Sequence, residues 1–246
     1  MTELDKDKRI AQLEQLLGLQ NSQNINTPKK FTFSQIDIKK LRELVDIERN
    51  FSGNIFNNWL NNNIFLDKDI ELFLKELLDR EASILKYYNE EDLKMYFLSQ
   101  IFYKINFKNM KYKVRYFSEE TLTYEHKNFI LSGNPDFIIA RGLDIPQKPY
   151  FFIQEFKQDK KSSDPEYQLV AELISAVEIN NWKIIKGCYI KGVIWRFMIL
   201  EKLGVDKYQY FVSEDFNSTK IEELKEIYKN LLFIKNEVIE MIKRGD

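Results

Sequence analysis

Tyr150-Phe151-Phe152-Ile153-Gln154-Glu155-Phe156-Lys157 is the stretch on which the reading of this chain turns. Successive side chains of a strand point to opposite faces, so Glu155 and Lys157 project together while Phe152, Gln154 and Phe156 point the other way. The apolar flank predicts a central strand buried on both faces. Charge there is costly to desolvate and calls for a partner or a metal. The alternative is a solvated face or a cross-strand ion pair, worth under ~1 kcal/mol. A second string, Asn134-Pro135-Asp136-Phe137-Ile138-Ile139, adds to the first. Pro135 lacks an N–H and suits a strand entrance or bulge, which leaves Asp136 at the mouth of an apolar strand.

The composition narrows the chemistry. A chain of 246 residues, 44% hydrophobic, can bury a sizeable core as one large or two small domains. Its single cysteine, Cys188, excludes an intramolecular disulfide and a cysteine-based zinc site. The only histidine, His126, lies in a polar stretch read as a hairpin loop at the surface. Any metal chemistry therefore falls to carboxylates, whose hard oxygens favour magnesium or manganese over zinc. No signal-peptide pattern and no run near ~18 apolar residues is found, so a cytoplasmic protein without a membrane span is expected. The net charge of −1 argues against a large nonspecific nucleic-acid clamp but leaves room for local basic patches.

Three regions are expected along the chain. Residues 1–30 read as an N-terminal arm and linker: Ile10, Leu13 and Leu17 mark one face of a short helix, and a polar stretch with Pro28 follows. A homodimer formed through this arm is one reading the sequence allows. Residues 31–88 read as a helical extension, with stripes at Ile38, Leu41, Leu44 and Val45 and at Ile70, Phe73, Leu74, Leu77 and Leu78. An Asn-rich, aromatic-bearing section separates the two stripes.

The third region, 89–246, opens with Asn89 as N-cap of a helix carrying Glu90, Glu91 and Asp92 in its first turn. The period then changes to two. Lys111, Lys113 and Arg115 alternate with Tyr112, Val114 and Tyr116, predicting a strand with a basic face suited to nucleic acid. Further strands are expected around 120–124, 129–131, 137–140 and 150–157. Asp164-Pro165 starts the next helix, strands follow to about Ser213, and a long helix closes the chain. The sum is a mixed α/β core with a sheet of roughly three to five strands between helices. Lys160 and Lys161 place more positive charge after Lys157.

Pro135-Asp136, followed nineteen residues later by Glu155-Phe156-Lys157, resembles the signature of the PD-(D/E)XK nuclease superfamily. The resemblance covers roughly Asn89 to Ser213, a little over half the chain. It implies a restriction-endonuclease-like αβββαβ core, with a mixed central sheet flanked by helices, plus the N-terminal helical extension. It further implies a magnesium- or manganese-dependent nuclease, with DNA as the expected partner. Asp136, Glu155 and the backbone carbonyl of Phe156 would ligate the metal, and Glu90 would complete the shell. Lys157 would orient or deprotonate the attacking water, and Gln168, on the helix after the lysine strand, would hold Lys157 or a metal-bound water. Beside Lys157 both carboxylates are expected to stay ionised. Glu172, one turn after Gln168, could face the site, although a solvated position is the more usual one for such a residue. A nuclease fold used only for binding or assembly, or a nuclease acting on RNA, stays open as an alternative.

Overall fold

The protein is described here by a computed structural model covering residues 28–157 and 164–244, together with positions 9, 12, 13 and 15. Of the N-terminal arm, those four isolated positions are helical and Leu13 is half exposed. The other positions of the helix expected there, Ile10 and Leu17 among them, lie outside the described residues.

The elements run β1 (Lys29–Thr32), α1 (Ile38–Leu44), β2 (Asp46–Arg49), α2 (Asn57–Leu60) and α3 (Lys68–Glu81). Next comes α4, a continuous helical run of Glu90–Asp92, a π-helical stretch Leu93–Leu98, and Ser99–Ile105. Then follow β3 (Val114–Ser118), β4 (Leu122–Glu125), β5 (Phe129–Gly133), β6 (Phe137–Arg141), β7 (Gln147–Lys157) and α5 (Pro165–Asn180). The chain ends with β8 (Ile184–Lys191), β9 (Ile194–Gly204), β10 (Lys207–Val212), β11 (Phe216–Asn217) and α6 (Ile221–Arg244).

A large mixed sheet has the order β2-β10-β9-β8-β7-β6-β3, with β11 paired to β9 as its eighth strand. A separate three-stranded sheet has the order β1-β5-β4. The α-β-β-β-α-β order expected from the sequence is present as α4, β3, β6, β7, α5 and β8. Strands β4 and β5 leave that path between β3 and β6 and form the smaller sheet.

β7 is central and both its faces are buried. Phe152 and Phe156 pack with α3, α4 and α6 through residues such as Leu74, Phe97 and Leu231. Ile153, pointing the other way, packs against Leu169 and Leu173 of α5. That helix is sandwiched between the two sheets, which explains why Leu169, Val170, Leu173, Ile174 and Val177 are all fully buried. A side chain at Gly187 of β8 would meet the Ile153 carbonyl at 2.8 Å and Leu173 at 3.1 Å, so the glycine lets α5 lie close.

The caps fall where the sequence put them. Asn89 and Asp92 form a reciprocal capping box, and Asp164 caps α5 ahead of Pro165. Phe56 and Trp59 of the Asn-rich section are buried, and the indole N–H of Trp59 donates to the Asn230 carbonyl at 3.0 Å.

Three expectations are corrected. The large sheet has eight strands, more than foreseen: β8, β9, β10 and β11 all join β3, β6 and β7, and β2 adds an edge by pairing in parallel with β10 across a sequence separation no local pattern reveals. Residues 29–49 are not purely linker and helix, since β1 joins β5 and β2 extends the large sheet. Lys111 and Lys113 are not on a strand face. They lie in a turn that Asn109 closes by pairing with Val114, and Lys113 adopts a positive φ of 52°.

Candidate active site

The site forms at the carboxyl end of β7, beside its parallel neighbour β8, where open α/β sheets commonly take ligands. Antiparallel pairing of β6 with β7 sets Phe137 opposite Gln154, which brings Asp136, one residue before β6, level with Glu155. The Phe156 N–H donates to Asp136 Oδ2 at 2.9 Å, so the backbone of the lysine strand fixes the aspartate. Glu155 is 1% exposed and Asp136 is 5% exposed, which makes both costly places for a lone negative charge.

Lys157 shares the Glu155 face as the two-residue period requires. Its ammonium donates to Glu155 Oε1 and, at 3.2 Å, to the Phe156 carbonyl. Glu90, at the start of α4, brings Oε1 to 3.8 Å from the same ammonium. The helix after the lysine strand contributes Gln168, whose amide N–H donates to Glu172 Oε1 at 3.1 Å, while its Oε1 accepts nothing from Lys157. Glu172 is fully buried, which corrects the more usual solvated position: every residue of α5 from Leu169 to Val177 is buried.

Sequence reasoning missed Lys94. Its ammonium donates to Asp136 Oδ1 at 2.8 Å and to Glu119 Oε1 at 2.7 Å, and lies 4.5 Å from the centre of the Phe156 ring. The signal available was helical spacing: Lys94 follows Glu90 by four residues and so shares its face. The π-helical stretch begins one residue earlier, at Leu93, and such segments are frequent at functional sites.

The electrostatics follow from burial. Desolvation, then the charge of Asp136, pushes the Glu155 carboxyl up to about 8 against the pull of Lys157. Desolvation and then Glu155 hold the Glu172 carboxyl well above its ordinary value. Burial also raises Asp136, although Lys94 opposes it. Both lysines are desolvated in turn, yet Lys157 beside Glu155 and Lys94 beside Asp136 are raised, so the neighbouring acids outweigh burial. The expectation that both carboxylates stay ionised beside Lys157 is therefore corrected for Glu155: three acids in one dry pocket compete for two ammoniums.

Three buried oxygens here have no hydrogen-bond partner: Glu155 Oε2, Glu172 Oε2 and Gln168 Oε1. Buried polar atoms are normally satisfied, so this cluster needs an explanation. Unpaired carboxylate and amide oxygens are the donors a hard cation takes. Among the described residues, no three His, Cys, Asp or Glu side chains are gathered closely enough to hold a metal as they stand. The lysines meet the two principal acids, each on one oxygen. The donor chemistry fits magnesium or manganese, provided ammonium gives way to metal at one of them.

The expected nucleic-acid residues scatter. Lys111 and Lys113 are exposed in the turn before β3. Arg115 is committed to structure: its guanidinium donates to the carbonyls of Leu143, Tyr116 and Asp144 and lies 3.7 Å from the Phe117 ring centre. Lys160 and Lys161 lie outside the described residues. His126 packs on Phe129 at the β4–β5 hairpin, with Nε2 3.4 Å from Asp206.

No protein-family model matches the chain, and no curated protein matches it. Among solved structures it is similar to the cryoEM structure of a DrdV–DNA complex, at 14% identity and a TM-score of 0.38. The match covers 66% of this chain and 14% of that one, so the chain spans about a seventh of that protein's length. So distant a likeness carries no argument about activity. Among the described residues, no helix is long and apolar enough to cross a membrane.

Proposed function

We propose that this protein is a divalent-metal-dependent nuclease of the PD-(D/E)XK type that hydrolyses phosphodiester bonds in DNA. One observation carries the reading: Asp136, Glu155 and Lys157 meet at the end of a central strand, with unsatisfied carboxylate oxygens buried around them. Structural ion pairs have little reason to leave oxygens unpaired in a dry core. Asp136, Glu155 and the Phe156 carbonyl would hold magnesium or manganese, with Glu90 alongside. When bound, that cation polarises the phosphate and acidifies a water.

The remaining work belongs to the side chains. Lys157, anchored to Glu155, directs its ammonium to the phosphate oxygens, where negative charge builds during in-line attack. The attacking oxygen bonds to phosphorus as the bond to the leaving oxygen breaks. A water acidified in this way would lose its proton to solvent, and the leaving oxygen would take one up; Glu155, deprotonated when it ligates the metal, would stay a ligand and not act as the base. Gln168 and Glu172, bonded to each other behind the site, fix the surroundings of Glu155. Lys160 and Lys161, which follow Lys157 in the sequence, would neutralise backbone phosphates near the site. Lys111 and Lys113, at the Arg141 end of the β3–β6 pair, would meet phosphates only farther along the substrate, and Arg115 holds the β6–β7 connection at Leu143 and Asp144. Residues 31–88 would contribute to selection of substrate or partner.

The test compares wild type with Asp136→Ala and Lys157→Ala on plasmid, single-stranded DNA and RNA, with magnesium, manganese or EDTA. Metal-dependent DNA cleavage is expected in the wild type, reduced roughly 10²–10⁴-fold by either substitution. Cleavage that survives EDTA or either change sinks the reading. A second reading, a nuclease-like fold that binds without turnover, draws support from the lysines already paired with both acids. It requires DNA binding that is indifferent to metal and no cleavage under any of these conditions.

A further inference from the structure

We infer that Lys94 is a built-in counter-ion for Asp136, one that a divalent cation must displace, and that Glu119 receives its ammonium when it withdraws. The inference rests on Asp136 being a metal ligand, as proposed above. Asp136 has two oxygens and both are engaged: the Phe156 N–H holds Oδ2 at 2.9 Å and the Lys94 ammonium holds Oδ1 at 2.8 Å. The backbone N–H is fixed by the β6–β7 pairing, whereas the lysine is a flexible side chain. A cation seeking Asp136 therefore competes with Lys94, and an ammonium and a metal ion repel each other strongly where water is scarce.

The retreat is already laid out. Glu119 Oε1 is 2.7 Å from the ammonium and Glu91 Oε1 is 3.7 Å from it. The Glu119 side chain is 55% exposed while that of Asp136 is 8% exposed, so an ammonium moving between them goes towards solvent without losing a carboxylate. An open cleft of about 360 Å³, lined by Glu91, Lys94, Glu119 and Phe137 among others, lies on that side. Lys157 has no equivalent exit, because its partners are the buried Glu155, the Phe156 carbonyl and Glu90 within the site. Lys94 thus keeps Asp136 neutralised until metal arrives and sets the affinity the metal must reach.

The experiment measures manganese binding by isothermal titration calorimetry on the full chain, without DNA, for wild type, Lys94→Gln, Lys94→Arg, Glu119→Gln and Asp136→Asn. Lys94→Gln is expected to bind manganese at least tenfold more tightly than wild type, because the competing charge is gone. Lys94→Arg is expected to bind no more tightly than wild type, and Glu119→Gln to bind severalfold more weakly, because only the more distant Glu91 then remains to receive the ammonium. A merely structural lysine would change the melting temperature of the metal-free protein without tightening manganese. An affinity for Lys94→Gln within twofold of wild type, or weaker, overturns the inference. So does a Glu119→Gln affinity equal to wild type, which keeps the question decidable if Lys94→Gln does not fold. If wild type binds manganese and Asp136→Asn does not, the metal site stands even when the Lys94 result is negative. Tighter binding by Lys94→Gln without any DNA cleavage would leave this inference intact and overturn the nuclease reading.

Discussion

Helix α5 carries two buried acids that live in opposite circumstances. Glu166, in its first turn, accepts from Arg49 at 3.1 and 3.3 Å, from the Tyr189 hydroxyl at 2.8 Å and from the Tyr210 hydroxyl at 3.1 Å. Glu172, further along the same helix, accepts one bond from Gln168, leaves Oε2 unpaired and lies beside the equally under-satisfied Glu155. Glu166 ties four elements together, α5, β2, β8 and β10, and each of its oxygens is used twice. The difference separates scaffold from site: a buried charge that is fully paired holds strands in place, whereas clustered acids with idle oxygens cost stability that only a ligand restores.

The sharpest way to break this contrast is to remove the satisfied acid. Glu166→Ala strands the Arg49 guanidinium and two tyrosine hydroxyls, and is expected to cost about 3–5 kcal/mol in urea unfolding. A cost near zero would mean that the Glu166 network does not hold the sheet edge.

The next effect is a pH dependence. The Glu155 carboxyl titrates near 8 in the folded protein, above its ordinary 4.5. Its contribution to stability is therefore complete below about 4.5 and is lost as the pH rises through about 8. The metal-free protein should melt on the order of 5 °C lower at pH 8.5 than at pH 5.5 from this group, read by differential scanning fluorimetry. A metal held as proposed would displace that proton, so the rise in melting temperature on adding manganese should be larger at pH 8 than at pH 5.5. A manganese effect that shrinks as pH rises would contradict the site.

The smallest effect belongs to Glu172→Gln, which keeps a partner for Gln168 and removes one of the competing acids. Its stability should stay within about 1 kcal/mol of wild type. If it costs as much as Glu166→Ala, the two acids are alike and the contrast fails.

How much of this was legible in the chain differs from residue to residue. The Glu155–Lys157 pair, the Asp136 entrance, the Asn89 capping box and the Asp164-Pro165 helix start could all be read, because each depends on a spacing within one element. β2 could not. Its four residues, Asp46-Ile47-Glu48-Arg49, carry one buried apolar side chain, and its partner β10 begins at Lys207. The basic alternation at Lys111, Lys113 and Arg115 misled because a turn occupies its first half. Lys94 carried only its four-residue spacing from Glu90, and Glu172 only its place one turn after Gln168.

The sequence by itself determined the strand that carries the acid and the lysine, the aspartate that faces it and the order of elements around them. Local geometry sets all three, since backbone period and capping chemistry act over a few residues. Only the tertiary structure decided which charges share one pocket. The β6–β7 register brought Asp136 to Glu155, α4 delivered Lys94 to the same aspartate, and α5 buried Glu172 beside Glu155. Desolvation depends on everything packed around a group, and no stretch of sequence contains that sum.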